Sequence, residues 1–265
     1  MPPACQEGVI PGEYASRGLI GTLTPQANTT VEPEFAILLP PGVSSIAARM
    51  TCAASAMDER LRVYIRELGT WTAQFADAPL AAISFACTGA SYLVGAAAER
   101  ALIADAQLRS GVPIVTSGLA VVAALEALSA RRVAFVSPYP PALTEASLAY
   151  WASFGIATVR VVQVAAAVGK AHPIYGLGAA DVRDAVGALD GVAGLDAVVV
   201  LGTGVPTLQA ILAWPRIGGA PVLSCTLATA WRCVMTVDGE PPSADNLLAW
   251  IDRPEWAHRL ADRLP

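Results

Sequence analysis

The sequence predicts an α/β protein built of two pseudo-symmetric, doubly wound parallel-sheet lobes with a ligand site between them. Three observations carry this. Short apolar runs alternate with longer helical patterns, the runs end in small or hydroxyl residues, and the second half of the chain repeats the order of the first. The length agrees, since 265 residues make one large domain or two of about 130 each. With 54% hydrophobic and 15% charged residues, the chain has material for a sizeable core and lacks the composition of a disordered one.

The first run, 18–23, is β-rich and closes on Thr24-Pro25; the next, 80–86, closes on Cys87-Thr88-Gly89. Runs at 112–115, 133–136, 197–201 and 222–223 behave alike. They carry few charges, as do strands buried on both faces of a helix-covered parallel sheet. Helical patterns lie at 30–39, 44–68, 90–108, 118–130, 144–154, 181–189 and 206–214. The uncharged stretch 197–214 approaches membrane-spanning length, but Gly202-Thr203-Gly204 and Pro206 break it into strand, turn and helix.

The repeat is specific. AAISFACTGASYLVG followed by SGVPIVTSGLAVVAAL answers to LDAVVVLGTGVPTLQAI followed by GGAPVLSCTLATAWRC. Cys87-Thr88-Gly89 thereby pairs with Gly202-Thr203-Gly204, Pro113 with Pro221, and segment 17–25 with 132–138. The lobes are expected at 1–129 and 130–235, with room for a helix exchanged between them, and a helical C-terminal tail at 236–265. The tail is amphipathic and carries Trp250 and Trp256. It can dock on the body or on a second copy of the chain, which leaves a homo-oligomer open.

A net charge of −5 argues against nucleic-acid and polybasic membrane partners. The N-terminal residues pair no basic segment with an apolar run, so no secretory signal is expected. The 5 cysteines are irregularly spaced without CxxC, and His172 and His258 are the 2 histidines. Neither a disulfide framework nor a metal site is expected, and the reading is a reduced, cytoplasmic compartment. No phosphate-loop or dinucleotide glycine pattern stands where a cofactor would need it.

Ligands of open α/β sheets bind at the carboxyl ends of the strands. Here those ends carry 24–28, Cys87-Thr88-Gly89, Ser137-Pro138-Tyr139 and Gly202-Thr203-Gly204. Backbone N–H groups at a helix start hold anions, so 88–90 and 203–205 read as two matching cradles suited to a dicarboxylate. Cys87 stands after a strand and before a helix, where the dipole favours thiolate. It suits a nucleophile or proton carrier, against the plain reading of a buried small cysteine. Asn28 has the plain alternative of capping the helix near Thr30, and Tyr139 that of packing on Pro140-Pro141. Cys5, Cys52 and Cys233 read as structural.

Together, LTPQANTTVEPEF, SFACTGASYLVG, VAFVSPYPPALTEASLAYW and VVLGTGVPTLQAI resemble the maleate cis-trans isomerase and arylmalonate decarboxylase branch of the aspartate/glutamate racemase superfamily. The resemblance covers residues 17–235 in order. It implies two α/β lobes, an active site between them, a small carboxylate substrate and no cofactor. It places the cysteine that adds to the double bond of maleate at Cys87, the binding asparagine at Asn28 and the binding tyrosine at Tyr139. Thr88, Gly89, Thr203 and Gly204 belong to the binding loops. The second-lobe cysteine of the isomerases and racemases falls on Gly202. Arylmalonate decarboxylases also keep one cysteine opposite a glycine, but in the second lobe, so this chain has the mirror arrangement. Cys225 and His172 are the residues that could supply a second acid or base; their plain readings are a packed thiol and a loop histidine. The leading expectation is a maleate-isomerase-like enzyme working through the thiolate of Cys87. The alternatives are a decarboxylase of substituted malonates, with the cysteine as proton donor, and a non-catalytic small-carboxylate binder. Open space over Gly202 lined by small apolar side chains favours decarboxylation; Cys225 or His172 filling it favours two-base chemistry.

Overall fold

The computed structural model describes residues 12–164 and 174–264. Cys5 and His172 lie outside them, as do the N-terminal residues on which the expectation of no signal rests. Two sheets form the frame. The first has β1 (Gly18–Pro25), β2 (Val43–Met50), β3 (Leu80–Phe85) and β4 (Ile114–Thr116), all parallel, in the order β2-β1-β3-β4. The second has β5 (Arg132–Ser137), β6 (Ala157–Gln163), β7 (Ala197–Val200), β8 (Arg216–Ile217) and β9 (Ala220–Ser224), in the order β6-β5-β7-β9-β8. Only the short edge strand β8 is antiparallel. Setting β8 aside, both sheets repeat one winding: β1 answers to β5, β3 to β7 and β4 to β9. The central strands β3, β5, β7 and β9 are almost wholly buried, which their continuous apolar runs require.

The helices are α1 (Val31–Leu38), α2 (Met57–Arg66), α3 (Leu68–Thr72), α4 (Thr88–Ser110), α5 (Ser117–Ala127) and α6 (Pro141–Ala152), followed by α7 (Ala179–Gly187), α8 (Leu208–Ala213), α9 (Cys225–Asp238), α10 (Ala244–Asp252) and α11 (Ala257–Ala261). Their packing interlocks the halves. α9 leaves the second sheet at β9 but lies against α1, α5 and strands β1, β3 and β4 of the first, while α4 packs on both α2 and α6.

Two expectations change. The helix expected over 44–68 is instead β2, then α2 and α3. β6 is a strand with no counterpart in the predicted set. Both pair on one side only. An edge strand has no need of a continuous apolar run, so VSSIAARM and ATVRVVQ do not carry the signal of the central strands.

Two buried carboxylates join the halves. Glu34 on α1 accepts the N–H groups of Thr207 and Leu208 and the Thr207 hydroxyl, which caps the start of α8. Glu99 accepts hydroxyls from Ser91 at 2.7 Å, Thr116 at 2.5 Å and, across the halves, Tyr150 at 2.6 Å. The tail docks on the body: Leu247, Ile251, Trp256 and Leu260 are buried, and Arg259 Nε donates to the Ile37 carbonyl at 2.6 Å. Among the described residues no helix is long and apolar enough to cross a membrane, and no group of three or more metal-ligating side chains gathers.

Candidate active site

The carboxyl ends of β1, β3, β5 and β7 meet at one cleft of about 240 Å³. Asn28, Cys87, Thr88, Gly89, Tyr139, Gly202, Thr203 and Gly204, expected from sequence, all line it. The loops are stitched across the halves. Thr203 Oγ1 donates to the Ala86 carbonyl at 2.8 Å, Asn28 Nδ2 to the Thr203 carbonyl at 3.1 Å, and Thr30 Oγ1 to the Gly204 carbonyl at 3.1 Å. The segment carrying Cys87 is therefore tied to the segment carrying Gly202.

Cys87 is the N-cap of α4. Thr88 and Gly89 open the helix, so their N–H groups have no intrahelical acceptor, and both residues line the cleft. The thiol differs from expectation. Burial pushes it from 9.0 to about 12, with only the Ala90 N–H pulling it back, so it rests as a neutral thiol. A helix-end dipole is worth about 0.3–1 kcal/mol in exposed settings. Desolvating a charge costs several, so burial wins here.

The second cradle is also built differently. α8 begins at Leu208, and its first amides are occupied by Glu34, so 203–205 is a loop and not a helix start. The Thr203 hydroxyl is committed to Ala86, which leaves a ligand its N–H group. Asn28 does two jobs: its Oδ1 accepts from Thr30 N at 2.8 Å and Val31 N at 3.1 Å, capping α1, while its Nδ2 spans the cleft.

Gly202 has φ +86, a conformation that side-chain-bearing residues rarely adopt. A Cβ there would stand 3.1 Å from Pro138 Cγ and 3.2 Å from Tyr139 Oη. The space over this glycine is thus occupied. The Tyr139 ring meets Tyr92 edge-on at 6.0 Å. Cys225, first residue of α9, is fully buried behind the cleft and does not line it. Burial pushes its thiol up to about 11, against the pull of the Thr88 hydroxyl, the Gly202 N–H and the Tyr92 hydroxyl. Cys233 is core, and Cys52 is part-buried.

Sequence reasoning missed one wall. Met57, Arg60, Leu61 and Tyr64 of α2 line the cleft, with Ile174 and Tyr175. Their spacing is i, i+3, i+4, i+7, one helix face. Arg60 Nη1 donates to the carbonyls of Ala54 at 3.1 Å and Ser55 at 2.9 Å, which holds the guanidinium at the cleft. A cation therefore joins the amides and hydroxyls expected to receive an anion.

Twin parallel-sheet lobes that clasp a small cleft, with a cysteine at a helix start, define the aspartate/glutamate racemase type of α/β fold. Comparison with known proteins narrows this. A profile of the arylmalonate decarboxylase family matches residues 20–247, and the chain belongs to that family. A maleate isomerase of Pseudomonas putida is 27% identical over 248 residues, covering 87% of this chain and 96% of its own. Among solved structures, a cysteine-to-serine variant of Nocardia farcinica maleate cis-trans isomerase, holding a covalently bound succinylcysteine intermediate, is 26% identical. It covers 87% of this chain and 98% of its own, with a TM-score of 0.71. A double variant of arylmalonate decarboxylase, with one glycine changed to cysteine and one cysteine to serine, is 25% identical. It covers 84% of this chain and 93% of its own, with a TM-score of 0.72.

Proposed function

We propose that this chain is a cysteine-dependent cis–trans isomerase of a small unsaturated dicarboxylate, of the maleate isomerase kind, with Cys87 as the residue that bonds to substrate. The observation that carries the reading is the position of Cys87. It is the one cysteine lining the cleft among the described residues, flanked by the Thr88 and Gly89 amides and faced by the Gly202–Gly204 loop. Amides on both sides suit a substrate with a carboxylate at each end, and Arg60 supplies a positive charge. The cavity holds about 240 Å³; at ~30 Å³ per water that is room for about eight water molecules. A four-carbon dicarboxylate fits within such a space. The maleate isomerase relatives, one caught as a succinylcysteine, support the same reading. In it, sulfur adds to one alkene carbon, the remaining single bond rotates, and elimination releases the trans isomer.

A second reading has an observation of its own. A thiol held neutral by burial is a proton donor before it is a nucleophile, and decarboxylation of a substituted malonate needs only one proton delivered to a carbanion. The arylmalonate decarboxylase relative supports this alternative. One experiment separates the two: wild type and Cys87→Ser incubated with maleate, methylmalonate and phenylmalonate, followed by proton NMR. Fumarate from maleate, lost in Cys87→Ser, is expected. Loss of CO₂ from the malonates with maleate untouched selects the decarboxylase. Full activity of Cys87→Ser on any of them removes the cysteine from both.

A further inference from the structure

A two-cysteine isomerase sets a second thiol across the cleft, and this chain has a glycine there. The space is filled by a hydroxyl. A Cβ on Gly202 would lie 3.2 Å from Tyr139 Oη and 3.4 Å from Tyr139 Cζ, so the phenol stands where a side chain of residue 202 would project. Tyr139 lines the same cleft as Cys87 and Thr88. Its ring is braced edge-on by Tyr92, and its main chain is tied to Ser137 and Gln163. A group fixed in this way presents its proton to one point. Cys225 is fully buried and does not line the cleft.

We propose that Tyr139 is the acid and base that works with Cys87, in the place of a second-lobe cysteine; the proposal rests on the isomerase reading above. In the addition step, the Cys87 sulfur bonds to one alkene carbon and the π pair moves to the other. That carbon takes the Tyr139 hydroxyl proton, and the Tyr139 oxygen takes the proton leaving the Cys87 thiol, directly or through the Thr88 hydroxyl that borders both. The adduct is a thioether and the tyrosine is whole again. Rotation about the new single bond brings the substrate's own hydrogen to the Tyr139 oxygen. In the elimination it leaves as a proton to that oxygen, its bonding pair rebuilds the double bond, and the carbon–sulfur pair returns to sulfur with the tyrosine proton. Burial keeps the phenol protonated at rest, as the first step requires.

This sequence leaves a signature. Removing the newly added proton would only regenerate the cis isomer. Forming the trans isomer removes the original hydrogen and keeps the new one. Wild type turning over maleate in D₂O should therefore give fumarate with one solvent deuterium at a vinyl carbon. Tyr139→Phe should lower kcat by about 10²-fold or more, and the fumarate it still makes should be unlabelled. Unlabelled fumarate from wild type overturns the proposal and leaves the isomerase reading standing. Label retained in Tyr139→Phe also overturns it, and loss of label in Cys225→Ala with label kept in Tyr139→Phe assigns the proton to Cys225. A Tyr139 that only packs or binds would shift the melting temperature or KM without removing label. No fumarate from wild type overturns the isomerase reading and this proposal with it.

Discussion

Replacing Glu34 by glutamine should make the protein more stable at neutral and alkaline pH and leave it almost unchanged near pH 4. Glu34 is fully buried on α1, and burial pushes its carboxyl from 4.5 to about 7 even though it accepts hydrogen bonds from Thr207 and Leu208. The folded state therefore holds a proton that the unfolded chain releases between those values. The stabilising contribution is complete below pH 4.5 and is lost as pH rises through 7. At about 1.4 kcal/mol per tenfold change in proton affinity, the loss is about 3 kcal/mol. Glutamine copies the neutral form, keeps an oxygen for the α8 amides, and does not titrate. Guanidinium unfolding of both proteins at pH 4, 5, 6, 7, 8 and 9 reads the effect. The difference should open between the two carboxyl values, from 4.5 to about 7, and flatten above neutrality at about 3 kcal/mol in favour of glutamine. A difference independent of pH, or one in which wild type gains as pH rises, would refute the reasoning. It would mean that the hydrogen bonds outweigh desolvation and the carboxylate is ionised in the fold.

The remaining predictions concern the cleft. Arg60→Gln should raise KM for a dicarboxylate by roughly tenfold to a hundredfold, about 1.5–3 kcal/mol for a charge-assisted hydrogen bond, with kcat changed less; an unaltered KM would remove Arg60 from the binding surface. Thr203→Val and Thr88→Val should separate. The first breaks the 2.8 Å bond to the Ala86 carbonyl and should cost about 0.5–1.5 kcal/mol of stability. The second deletes a buried hydroxyl that lies beside Cys225 and Tyr139 without a hydrogen bond of good geometry among the described residues, so it should alter turnover more than melting. Equal melting temperatures for the two variants would contradict the assignment.

The parts of the fold that could be read in advance are those where burial forces composition. β3, β5, β7 and β9 carry apolar runs because both of their faces are covered, and the loops after them stand out because helix starts and close approaches need Thr and Gly. The internal repeat then pairs Cys87 with Gly202 without any knowledge of distance. The edge strands β2 and β6 escape this logic, and the loss of β2 had a consequence. With 44–68 read as one helix, nothing oriented α2, so the face bearing Met57, Arg60, Leu61 and Tyr64 could not be assigned to the cleft. Glu34 was invisible for another reason. Its partner lies 173 residues away, and an acid in the first turn of a helix is ordinary in any sequence. For Cys87, local position at a helix start favours the thiolate and depth opposes it, and depth is not legible in a single sequence.

That depth constrains the chemistry more than the residue list does. Ionising Cys87 in the empty cleft, from an ordinary 9.0 to about 12, costs about 4 kcal/mol beyond a thiol in water. A dianionic substrate would raise the cost further, and Arg60 with the cleft amides returns part of it. A free thiolate is therefore not a resting state that this chain can use cheaply. Addition of sulfur has to be coupled to movement of its proton, and the coupling needs an exchangeable group already aimed into the same dry space. A second thiol across the cleft would serve, but residue 202 lies at φ +86 with Tyr139 Oη 3.2 Å from where its Cβ would be. The backbone and the phenol both disfavour a cysteine there, and in the proposed mechanism the phenol takes its place. The same burial that makes Cys87 a poor anion makes Tyr139 a secure proton source, so the two shifts belong to one arrangement.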